Sequence, residues 1–139
     1  MSLGENVLST YLHFRDNGAA STVPVSDAFW SELTAGELQH LNQGRLMSAF
    51  TFSAPWPTWE RHPAGEELVL LLSGVATMVL DESDQEREVQ LSTPGDFVLV
   101  PRNIWHTART QVKTTMLFLT PGEGTEHREV GATSLGSTT

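Results

Sequence analysis

The chain has 139 residues, 39% of them hydrophobic, with a formal net charge of −9 and no cysteine. That length suits one domain with a real core. The acidic balance argues against a nucleic-acid backbone or an anionic membrane as partner, and disulfides and thiolate metal sites are excluded.

Residues 1–43 are expected to form an N-terminal arm. It carries a strand-like Ser21–Val25, then a short helix capped by Ser26 with Phe29, Trp30 and Leu33 on one face. Thr34-Ala35-Gly36-Glu37 matches a capping box ahead of Leu38 and Leu41. Met1–Glu5 lacks the basic and apolar parts of a secretory signal, and no apolar run approaches the ~20 residues of a membrane helix. A cytoplasmic protein is the expectation.

From 44 to 120, apolar stretches alternate with turn chemistry at short intervals, which predicts an all-β sandwich or barrel. The predicted strands are 45–52, 58–62, 67–72, 75–80, 88–91, 97–100, 106–110 and 115–119. Asp81–Arg87 reads as a charged hairpin loop, and Thr93-Pro94-Gly95-Asp96 as a type II turn with Gly95 at the positive-φ position. Residues 121–139, rich in Gly, Ser and Thr, read as a flexible C-terminal tail. If Glu67 faces inward, so do Val69 and Leu71, which turns Leu68, Leu70 and Leu72 outward. Three such leucines call for cover, either from the arm or from a second subunit.

The chemistry concentrates in Trp59-Glu60-Arg61-His62-Pro63-Ala64-Gly65-Glu66-Glu67, read with His106. Glu60 and His62 are two apart and leave the same face of a strand. Pro63 and Gly65 then turn the chain so that Glu67 opens the next strand. Oxygen and nitrogen donors gathered at the mouth of a β structure suit a hard or borderline divalent cation. The bland alternative is a metal-free barrel in which Glu60 hydrogen-bonds His62.

These residues resemble the cupin superfamily. Its first motif runs G-x5-H-x-H-x(3,4)-E-x6-G, and His62, Glu67 and Gly74 reproduce its second half; of its second motif, G-x5-P-x-G-x2-H-x3-N, Gly95, Pro101 and His106 fall in place. Ala54, Asn103 and Thr110 stand where the family has Gly, Gly and Asn, and Glu60 stands for the first histidine. Asn103 is a mild exchange, because Asn tolerates a left-handed backbone. The resemblance covers about residues 44 to 120 and implies a jelly-roll, double-stranded β-helix barrel with a metal site inside. It also implies a homodimer.

The candidate metal ligands are therefore Glu60, His62, Glu67 and His106, and the candidate ions are Fe2+, Mn2+ and Zn2+. Glu60 carries three readings: direct ligand, partner orienting His62, or general acid or base beside the metal. Trp59, Trp105, Met116 and Phe118 are the candidate substrate-binding residues. Ordinary packing is the competing account of the tryptophans, and Arg45, Arg61, Arg102 and Arg109 read as surface charges. His13, His40 and His127 read as surface or packing residues. The expected function is a small metal-dependent enzyme, of dioxygenase or isomerase/lyase type, on a small organic molecule. The competing class is a non-catalytic small-molecule-binding or sensing module.

Overall fold

The computed structural model describes residues 1–131. Its elements are β1 (Thr10–Phe14), β2 (Ala20–Pro24), α1 (Phe29–Thr34), a 3-10 turn at Gln39–Asn42, β3 (Arg45–Phe52), β4 (Thr58–Arg61), β5 (Glu67–Ser73), β6 (Ala76–Glu82), β7 (Gln85–Leu91), β8 (Phe97–Val100), β9 (Trp105–Arg109), β10 (Thr114–Thr120) and β11 (Glu126–Glu129). They form two antiparallel sheets, one ordered β2-β1-β3-β10-β5-β8 and the other β11-β4-β9-β6-β7. This is the expected jelly roll. No helix among the described residues is long and apolar enough to cross a membrane.

The alternation of side chains along each strand decides which residues fill the space between the sheets. Val69 and Leu71 from β5, Met78 and Leu80 from β6, and Met116 from β10 are wholly inaccessible to solvent and pack in one cluster. Each such side chain contributes roughly 1.5–3 kcal/mol by leaving water. Two turns behave as their sequences predict. Gly95 has φ +98° while the Asp96 amide donates to the Thr93 carbonyl, and Asn103 has φ +65°.

Several expectations need correction. Thr34 does not open a helix. It ends α1, its hydroxyl donates to the Trp30 carbonyl, and Gly36 at φ +81° stops the helix in the left-handed conformation that a C-terminal glycine permits. Ser26 contributes a carbonyl to Phe29 N–H and no side-chain cap. The charged segment Asp81–Arg87 is mostly strand, because Glu82 pairs with Gln85 around a tight Ser83-Asp84 turn. The segment expected to be a loose tail from 121 contains β11, which pairs with β4 along its whole length. The remainder of that expectation, 132–139, lies outside the described residues.

The outer face of the larger sheet is as apolar as the alternation requires. Leu99, Leu68, Leu119, Met47 and Leu12 follow one another across five strands. The arm does not lie over them. Its β1 pairs edge-on with β3, which leaves Leu72, Phe97 and Leu99 at 36%, 59% and 52% exposure.

Candidate metal centre

Three strands bring the ligand candidates together. Glu60 lies on β4 and pairs directly with His106 on β9. His62 follows β4, where its carbonyl accepts from the amide of left-handed Asn103. Glu67 opens β5 in the opposite sheet. One donor atom from each of the four residues lies within 4.8 Å of the others. His106 Nε2 is 3.0 Å from Glu67 Oε1 and 3.7 Å from Glu60 Oε1; His62 Nε2 is 3.3 Å from Glu60 Oε1 and 3.4 Å from Glu67 Oε1. Donors about 2.1 Å from a common ion have neighbouring separations of about 3.0–3.4 Å.

The second polar atom of each side chain is already engaged. Thr125 gives its hydroxyl proton to the Gly122 carbonyl, so it accepts from His62 Nδ1–H at 2.8 Å. His106 Nδ1–H donates to the Ile104 carbonyl at 3.0 Å. Both neutral imidazoles are thereby held in the tautomer that presents an Nε2 lone pair to the cluster, the outer support characteristic of metal-bound histidine. Glu67 Oε2 accepts from the Thr120 hydroxyl at 2.6 Å, and Glu60 Oε2 is 3.3 Å from His127 Nε2. His62 Nε2 is buried and makes no hydrogen bond. A ring nitrogen poised between two carboxylates at 3.3 and 3.4 Å, with no aligned hydrogen bond, is a position a cation would satisfy.

Burial disfavours charge on all four groups, yet their mutual attraction overrides it. Burial lowers the His62 and His106 imidazoles, but the Glu60 and Glu67 carboxylates carry them up to about 9 and about 10. Burial likewise raises both carboxyls, and the imidazoles outweigh it, holding Glu60 well below and Glu67 below the usual range. Without a metal the cluster therefore holds two protons beyond those of the neutral imidazoles, one on each Nε2, at neutral pH. Exchanging two protons for one dication leaves its charge unchanged.

A cavity of about 800 Å³ opens above the cluster, with Glu60, His62 and Glu67 on its floor. His106, with no exposed surface, completes the group behind them. Of the candidate substrate-binding residues only Phe118 lines it. Met116 is buried deeper in the core. Trp59 and Trp105 are neighbours in sequence of inward-facing Glu60 and His106, so strand alternation turns them to the outer face. There the Arg128 guanidinium lies 5.5 Å from the Trp59 ring and 4.5 Å from that of Trp105, and Arg61 lies 4.7 Å from Trp105. Sequence reasoning missed Trp30, His127, Thr120 and Thr125. For the last three no motif offers a signal; they arrive through β10 and the β11 pairing.

Residues 52–128 match the family model described as the cupin domain. A cupin superfamily protein from Desulfitobacterium hafniense is 26% identical, with a TM-score of 0.46 over 55% of this chain and 65% of that one. A cupin-2 domain protein from Shewanella frigidimarina is 14% identical, with a TM-score of 0.47 over 55% and 70%. A variant of Bacillus subtilis oxalate decarboxylase is 20% identical, with a TM-score of 0.52 over 62% of this chain and 24% of that one. The chain thus spans less than two thirds of the Desulfitobacterium protein and about a quarter of the decarboxylase, and the latter likeness is one of fold. None of the curated proteins matches.

Proposed function

The chain belongs to the cupin family, and on that premise we propose that it is a small metal-dependent enzyme, of dioxygenase or isomerase/lyase type, acting on a small organic molecule. His62, Glu67 and His106 would hold one divalent cation, Fe2+, Mn2+ or Zn2+, with Glu60 as fourth ligand through Oε1. The observation that carries this reading is the set of four convergent donors, each fixed from behind, on the floor of a cavity. Bound there, the cation would supply a Lewis acid or an oxygen site. Glu60 is the partly exposed member of the four, and it faces both the cavity and His127. It is the group placed to take a proton from a molecule above and pass it towards solvent.

Catalysis by a metal needs a coordination position that protein does not fill. Protein loaded with Mn2+ is expected to speed the relaxation of solvent protons, because water exchanges at such a position. Tightly bound Mn2+ with no such effect would indicate a closed site and overturn the catalytic reading in favour of a binding or sensing module.

We further propose that two copies pair through the outer face bearing Phe97 and Leu99, since the arm leaves it uncovered. Light scattering should give a dimer for the wild type and a monomer for the Phe97→Glu, Leu99→Glu double variant. A monomeric wild type at high concentration would refute this.

A further inference from the structure

The cavity carries its carboxylates at its floor, and neutral polar side chains, Gln39, Asn42 and Ser48 among them, line part of the rest. One wall stacks Phe50 on Phe118, ring centroids 4.9 Å apart at 14°, with Trp56 at 5.7 Å from Phe118. The arm adds Trp30, 5.8 Å from Phe50, and Leu33 to the lining. Among the described residues lining the cavity there is no lysine or arginine. The sheet's own arginines point away from it: Arg61 pairs with Glu126 and Arg128 with Asp81, both over Trp105 on the outer face. His127 reaches the cavity, but its Nε2 is engaged with Glu60 Oε2.

Charge at the floor reinforces this. Two carboxylates and one dication sum to zero, whereas a third imidazole in place of Glu60 would leave +1 to attract an anion. An anion entering this space would lose hydration without gaining a counter-charge, which is costly. A flat apolar ring would instead gain contact with three aromatic side chains.

We infer that the cavity takes a neutral, planar aromatic molecule, its ring against Phe50, Trp56 and Phe118 and one polar group turned to the floor, and that it rejects the corresponding carboxylate. The contact of that polar group with a cation rests on the metal reading above; the selection against anions does not.

The test is calorimetric titration of 2-naphthamide and 2-naphthoate, alike in shape and different in charge, into metal-free and Zn2+-loaded protein at pH 7.5. The amide is expected to bind more tightly by about tenfold or more in both forms, the range a single unpaired charge commands. Thr34→Arg places a cation on the exposed rim and is expected to shrink or reverse that ratio. Equal or tighter binding of the naphthoate, binding of neither compound, or an unchanged ratio in Thr34→Arg would each overturn the inference. Failure of the protein to take up Zn2+ would sink the metal reading alone, since the ratio on metal-free protein still decides this one.

Discussion

Alanine in place of His106 is expected to weaken divalent-cation binding by more than about 100-fold, and His62→Ala to do the same. Loss of a partner behind a ligand costs about 10–100-fold, and these changes remove the ligand itself. Each variant also leaves the Glu60 and Glu67 carboxylates facing each other with less positive charge between them. Titration calorimetry with Mn2+ or Zn2+ checks the affinity. Wild-type affinity in His106→Ala would refute the site, and wild-type affinity in Glu60→Ala would move Glu60 out of the ligand set. Affinity should also rise with pH, because the metal must displace protons held up to about 9 on His62 and about 10 on His106. The slope approaches about tenfold per pH unit for each proton that leaves. The stability of metal-free protein runs the other way at alkaline pH. Imidazoles raised above their ordinary 6.5 contribute fully below that value, and the contribution is lost as pH climbs through about 9 to 10. The lowered carboxylates contribute above their ordinary 4.5, and that part is lost as pH falls.

Gly74→Ala should be among the most damaging single-methyl changes in the barrel, costing on the order of 3–5 kcal/mol. Gly74 has φ +86°, and a Cβ there would lie 2.5 Å from the Lys113 carbonyl oxygen and 2.7 Å from Thr114 Cα. Those are backbone atoms of the start of β10 and cannot swing aside. The displaced residue Thr114 also holds the β5–β6 turn, since its hydroxyl donates to the Val75 carbonyl at 3.0 Å. Thermal unfolding should fall by roughly 10 °C or more. Gly95→Ala is the control, with a similar φ of +98° and nothing within 4 Å of its Cβ. Equal losses in the two variants would show that backbone strain, and not the clash, sets the cost.

The parts of the fold that could be read from sequence are strands whose apolar runs are bounded by clear turn residues. Arg45–Phe52 and Phe97–Val100 were delimited to the residue. β1 escaped because its two inward residues are Tyr11 and His13, which carry no plain hydrophobic signal. β11 escaped because Glu-His-Arg-Glu reads as a solvated loop; it is a strand only through pairing with β4 and the contact of Arg128 with Trp59 and Trp105. The convergence of Glu60, His62, Glu67 and His106 was legible from motif spacing. Which tryptophans line the cavity was legible in principle: Trp59 and Trp105 adjoin inward residues, so parity alone assigns them outward. Trp30 could not be placed without knowing where the arm folds.

The four donors do not belong to one sheet. Glu60 and His106 come from the layer containing β4 and β9, with His62 just past β4, while Glu67 comes from the layer containing β5. A bound ion would rivet those layers together through bonds far stronger than the dispersion contacts that otherwise join them. In a chain without cysteine it would take the place that a cross-link between halves holds in secreted domains. Separation of the two layers would then have to wait for the ion to leave, which makes occupancy a determinant of how long each molecule survives as well as of what it can do.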